Sequence, residues 1–166
     1  MTSRLSDLYH EYHEPLVRML HRRTGDRERA EELAQEVFAR AVAAPPRNPR
    51  PWLFAVALNL VREEGRRSAR RGRRLELYRA EQPQSAPAAD EALLRAERVA
   101  RVRAALEQLS ERDREALLLS AEGLSYDDIA ATLGLARGSI GTTLARARRR
   151  LVEAYGAKEG QRDVAS

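Results

Sequence analysis

Arg146, Arg148, Arg149 and Arg150, with Arg137 a little upstream, are the side chains in this sequence best suited to recognition chemistry. A guanidinium presents a fixed fork of donors that fits phosphate oxygens and guanine edges, so an arginine run closing a helix suits a nucleic-acid duplex. Ser139, Thr142 and Thr143 precede the run and add hydroxyls able to meet bases or backbone. Other chemistry is poorly supplied. There is no cysteine, which excludes disulfides, thiolate metal sites and thiol nucleophiles. His10, His13 and His21 are the only histidines, and no carboxylate stands near them at clear ligand spacing, so no metal is expected. No nucleophile with a histidine base and no glycine-rich phosphate loop is recognisable. The expectation is a protein that is no enzyme, needs no cofactor and takes no small-molecule substrate.

Two short helices must position these groups. In LSYDDIAATLGLARGSIGTTLARARRRL (124–151), Ser125 is placed to cap a helix and Asp128 to close a capping box, which predicts a helix from about Tyr126 to Leu133. Gly134 supplies a left-handed stop. Ile129, Leu133, Leu135, Ile140 and Leu144 fall where two crossing helices would bury them, and Ala130 is small enough to let the second helix approach. This is the pattern of a helix-turn-helix, whose second helix enters the major groove. Its outward residues are then Arg137, Ser139, Thr142, Thr143 and Arg146, with Arg148, Arg149 and Arg150 beyond. An ordinary helical hairpin with a solvated basic face is the competing reading.

The rest of the chain fits an all-α protein. Its 166 residues hold one medium or two small helical domains, and the formal charge of +5 with a pI near 10.2 favours a nucleic-acid partner. Lys158 is the only lysine, so the excess is arginine. No apolar run approaches the roughly 20 residues that span a bilayer, and MTSRLSDLYHEYHEP lacks an apolar signal core, so a cytoplasmic protein is expected.

Leu5, Leu8, Tyr9, Tyr12, Leu16 and Leu20 mark a first helix that Pro15 could kink. Gly25 ends it and Asp26 caps a second, with Ala30, Leu33, Ala34, Val37, Phe38, Ala41 and Val42 at a period near 3.6. The loop APPRNPRP leads to a third helix through WLFAVALNLVREEGRR, with Pro51 at its first position. The boundaries expected are an N-terminal domain over residues 1–68, a flexible linker over 69–89 carrying Pro83 and Pro87, a C-terminal domain over 90–155 and a polar, disordered tail over 156–166. In the C-terminal domain Leu93, Leu94, Val99, Val102, Leu106 and Leu109 form an expected buried stripe, and Ser110 to Asp113 a second capping box.

Charge is segregated. Glu31, Glu32, Gln35, Glu36 and Arg40 line the polar face of the second helix, whereas Arg62, Arg66, Arg67, Arg70, Arg71, Arg73 and Arg74 form one basic cluster and Arg146 to Arg150 another. The basic clusters suit phosphate, with binding that falls steeply with salt. DNA would repel the acidic face, which suits either a basic protein surface or plain solvent.

The succession DRERAEELAQEVFARA, PRPWLFAVALNLVREEGRR, a linker and LSERDREALLLSAEGLSYDDIAATLGLARGSIGTTLARARRRL resembles the small alternative sigma factors of the extracytoplasmic-function (ECF) group, over about Leu8 to Leu151. The resemblance implies that the second helix docks on the clamp helices of the RNA polymerase beta-prime subunit through Glu32, Gln35, Glu36 and Arg40, and that the beta flap is a further polymerase contact. It implies that Trp52, Asn59 and Arg62 face the minus-ten promoter element, with Arg66 and Arg67 on phosphates. An aromatic for an unstacked base, an amide for base edges and arginines for backbone suit single-strand capture, although Trp52 could equally pack beside Phe38. Arg137, Ser139, Thr142, Thr143, Arg146 and Arg149 would meet the minus-thirty-five element. An anti-sigma factor is also implied.

Two departures stand out. Gly141 and Thr143 occupy positions where the family usually carries a lysine and an arginine, and APPRNPRP is shorter than the family's base-cradling loop. A stand-alone helix-turn-helix regulator and a protein-binding adaptor are the alternatives.

Overall fold

The computed structural model describes residues 2–79 and 90–164, and their regular structure is entirely helical. Three helices build the N-terminal half: α1 (Thr2–Thr24), α2 (Arg27–Ala43) and α3 (Pro49–Arg79). Gly25, at φ 72°, makes the left-handed turn that ends α1. Asp26 then caps α2, accepting a hydrogen bond from the Arg29 amide at 3.1 Å. Pro15 lies inside α1 without ending it.

The apolar periodicity of each helix meets in one core. Leu16, Val17, Met19 and Leu20 of α1, Leu33, Val37 and Phe38 of α2, and Leu53, Phe54, Leu58 and Val61 of α3 are buried together. Truncating any of the larger side chains to alanine would cost about 2–5 kcal/mol, because close-packed surroundings collapse only partly into the space. Val42, expected on the stripe, is exposed, although its neighbour Ala41 in the same turn is buried.

The C-terminal half comprises α4 (Asp90–Glu107), α5 (Glu111–Ala121), α6 (Tyr126–Leu133), a 3₁₀ turn (Arg137–Ser139) and α7 (Ile140–Val164). Ser110 and Ser125 cap α5 and α6, accepting from the amides of Asp113 and Asp128. Leu119, Ile129, Ile140 and Leu144 are fully buried between α5, α6 and α7.

Three expectations need correction. The sequence pattern predicts a linker from residue 69, yet α3 continues to Arg79: no proline intervenes before Pro83, and arginine, leucine and glutamate sustain a helix. Residues 80–89, with Pro83 and Pro87, lie outside the described residues. The tail after Tyr155 is helical to Val164, and Arg101 of α4 stacks over the Tyr155 ring at 4.6 Å, tying the extended α7 to α4. On α4, Leu106 is buried, as is Leu109 just beyond it, whereas Leu93, Leu94, Val99 and Val102 are exposed. A single principal neighbour, α7, covers only part of that stripe.

The halves pack on each other, α3 against α6 and α1 against α5, so that one apolar cluster runs through both. Arginines of the first half meet carboxylates of the second. Arg18 and Arg22 share Glu122, at 3.1 and 2.8 Å, and Arg23 reaches Glu107 at 2.6 Å. Arg50 lies 3.5 Å from Asp128. In the opposite direction Arg103 of α4 donates to the Thr24 carbonyl at 3.0 Å.

Candidate nucleic-acid interface

The recognition segment begins at Gly134, whose φ of 66° redirects the chain after α6. Ile140, Thr143, Leu144 and Ala147 face the core, at the three- and four-residue steps of a buried helical face. Thr142, Ala145 and Arg149 follow at similar steps on the opposite, exposed face, with Arg137 and Arg148 also exposed. Thr143 is therefore corrected from the expected outward set. It is 4% exposed, and its hydroxyl donates to the Ser139 carbonyl at 2.7 Å.

Thr142 is outward, with its hydroxyl donated to the same carbonyl at 3.0 Å, and half-buried Ser139 donates to the Ala136 carbonyl at 2.7 Å. Arg137 pairs with Asp127 at 2.7 Å, both well exposed. At Gly141 an added Cβ would stand 3.7 Å from the exposed Tyr126 ring, an ordinary van der Waals contact.

Arg146, expected on phosphate, is turned toward α5. Its Nη2 and Nε donate to the two oxygens of Asp113, at 2.7 and 3.3 Å, and Arg150 adds a third bond at 3.2 Å. Asp113 is 0% exposed. These arginines hold its carboxyl below the ordinary carboxylate range, chiefly through the hydrogen bond from Arg146 and against the opposing effect of burial. Arg148 and Arg149 have no carboxylate partner among the described residues.

On α3, Trp52 is half-buried against the core and lines a cavity of about 430 Å³ with Pro46, Arg47, Asn48, Pro51, Ala55 and Ala131. The ring neighbours of Phe38 are Tyr9 and His13, at 5.0 and 6.3 Å. Ala131 belongs to α6, so the helix-turn-helix borders the tryptophan's cavity. Asn59 is exposed, as expected, and accepts from Arg62 Nη1 at 3.0 Å. The rest of the Arg62 guanidinium is bound to Glu115, with Nε at 2.6 Å, and lies 3.3 Å from Glu111. Those carboxylates raise its already high pKa. Arg66 and Arg67 are exposed.

The polar face of α2 points wholly outward: Glu32, Gln35, Glu36 and Arg40 are all exposed. Arg29 bridges Glu32 and Glu64, at 2.6 Å to each, and Arg40 pairs with Glu36 at 3.1 Å. Beside them a groove of about 290 Å³ runs between α2 and α3.

Sequence reasoning missed Asp113 and Glu115, treating the first as a cap partner and overlooking the second. The available signal was a concentration of carboxylates at Glu107, Glu111, Asp113, Glu115 and Glu122, beside a chain otherwise rich in arginine.

A three-helix unit bearing an outward polar helix, joined to a helix-turn-helix whose exposed face ends in arginines, defines a two-part helical protein that binds DNA. Known proteins fix the family. The Sigma-70 region 2 model matches residues 8–71 and the Sigma-70, region 4 model residues 100–151. The ECF RNA polymerase sigma factor EcfG of Rhodopseudomonas palustris is 37% identical over 134 residues, covering 77% of this chain and 72% of its own. CnrH, solved in complex with the cytosolic domain of CnrY, shares the fold with a TM-score of 0.67 at 24% identity, over 95% of this chain and 90% of its own. RpoE of Bartonella quintana, solved with the anti-sigma factor NepR, gives 0.58 at 27% identity, over 89% and 96%.

This chain belongs to the ECF family of RNA polymerase sigma factors: it is an alternative sigma factor that directs core RNA polymerase to promoters. Among the described residues no helix is long and apolar enough to cross a membrane.

Proposed function

We propose that the chain works as two units on a polymerase it binds reversibly. The N-terminal unit, extended past residue 68 to Arg79, docks on the beta-prime clamp helices through Glu32, Gln35, Glu36 and Arg40. It captures the minus-ten strand with Trp52, Asn59 and Arg62, and holds phosphates with Arg66 and Arg67. The C-terminal unit, residues 90–155, reads the minus-thirty-five element with Arg137, Thr142 and Arg149 and meets the beta flap. Ser139 shapes the turn and Thr143 the packing beneath that face.

The observation that carries the docking assignment is the geometry of α2. Its apolar face is the centre of the core, while Glu32, Gln35, Glu36 and Arg40 are together exposed, three of them along the groove shared with α3.

Polymerisation belongs to the polymerase, so the chain itself needs no catalytic step, and its place of action is the cytoplasm. Strand opening is driven by capture of unstacked bases. Arg62 must leave Glu115 to reach DNA, so the closed packing of the two halves gives way on the promoter. An anti-sigma factor is a fitting partner, since CnrH and RpoE were both solved with protein partners, NepR being an anti-sigma factor.

Run-off transcription with purified core polymerase on genomic fragments tests this reading. Specific starts that depend on the chain are expected, and their absence would refute it.

A further inference from the structure

Asp113 is the third residue of α5, where a capping box would turn its carboxylate back toward the amide of Ser110. The carboxylate instead crosses to α7, 33 residues away, and takes Arg146 through two bonds and Arg150 through one. Arg146 and Arg150 are four apart, one turn of α7, so both can converge on a single acid. The carboxylate is buried while the Arg146 and Arg150 side chains are 40% and 54% exposed, so screening and desolvation together offset much of the Coulombic gain and the cluster is weak evidence for stability. Its stronger consequence is geometric. Pulling either arginine toward a phosphate would leave a charge that is 0% exposed short of its partners.

We propose that Asp113 is a positioning residue for duplex recognition: it withholds Arg146 and Arg150 from phosphate and fixes the rotation of α7, so that Thr142, Ala145 and Arg149 face the groove. The available cations of the arginine run are then Arg148 and Arg149. This economy favours sequence discrimination, because phosphate contacts strengthen binding to every sequence alike. The proposal rests on α7 being the face that meets DNA.

The test measures binding of the full chain to a short mixed-sequence duplex, and to a duplex recovered by selection with the unaltered chain, across a salt series. Asp113→Asn keeps the shape and removes the charge. The expected result is a salt slope steeper by about 0.9 to 1.8, one or two added phosphate contacts. Mixed-sequence affinity should rise roughly three- to tenfold at about 0.1 M salt, and discrimination between the two duplexes should fall. An unchanged slope and unchanged discrimination would overturn the proposal.

A second variant does not depend on how Asp113→Asn folds. Asp113→Asn with Arg146→Gln and Arg150→Gln leaves no uncompensated charge and should keep the wild-type slope. A slope shallower by about 0.9 or more would mean that these arginines reach phosphate in the native chain, which also overturns it. Arg148→Ala with Arg149→Ala tests the underlying face: the slope should become shallower, and an unmoved slope would refute α7 as the DNA surface and the proposal with it.

Discussion

Arg62 of α3 donates from Nε to one carboxylate oxygen of Glu115 in α5 at 2.6 Å and from Nη2 to the other, joining the two halves of the molecule through a bidentate pair. The Glu115 and Arg62 side chains are only 4% and 29% exposed, so both ends of the pair are better shielded from salt than a surface bridge. Removing Arg62 alone would strand that carboxylate, a loss of about 3–5 kcal/mol if the halves stayed closed. Glu115→Gln avoids the stranded charge and weakens the closure. The expected outcome is a larger radius of gyration by small-angle scattering, whereas an unchanged radius would show that the apolar contact of α3 with α6 suffices.

The links whose arginines are more exposed than Arg62, itself 29% exposed, should respond more to salt. Arg18 and Arg22 are about half exposed and converge on Glu122, whose side chain is 2% exposed. Raising ionic strength from about 0.1 M to 1 M shortens the screening length from about 10 Å to 3 Å. The α1 to α5 contact should loosen first, so a fluorophore pair across it should report increasing separation with salt. The same pair on a Glu122→Gln variant should start from the larger separation and change less.

Gln35→Ala combined with Glu36→Arg should abolish association with core polymerase and leave the fold intact. Both positions are exposed, and the Glu36 to Arg40 pair that is lost is a surface contact worth well under 1 kcal/mol. Stability should therefore move by about 0.5 kcal/mol or less in urea unfolding. Association intact in a pull-down with core enzyme would remove α2 from the docking surface.

The helix-turn-helix was legible because its signals are local. Ser125 accepts from the Asp128 amide, Gly134 takes a left-handed φ of 66°, and α6 runs from Tyr126 to Leu133, all as spacing and turn chemistry require. Thr142 and Thr143 cannot both face outward as expected, because consecutive helical residues lie about 100° apart. Ile140 and Leu144, already assigned to the core, flank Thr143 on the buried face. The Arg146 and Arg62 pairings were not legible, because their carboxylates lie 33 and 53 residues away and no periodicity links them. The end of α3 was missed for another reason: an arginine-rich composition suggested linker where helix propensity was in fact adequate.

The pH dependence of stability follows from Asp113. Its carboxyl titrates below the ordinary value of 3.8, first because Arg146 hydrogen-bonds the charged form. The unfolded chain therefore takes up this proton at a higher pH than the folded chain does. The resulting stabilisation is fully present above the unfolded value and is lost as pH falls through the lower, folded one. Urea-unfolding free energies measured from neutral pH downward should show a decline beginning near pH 4, part of which is absent in Asp113→Asn. Identical acid limbs for the two proteins would place the acid sensitivity on other carboxylates and deny Asp113 a tightly held charge.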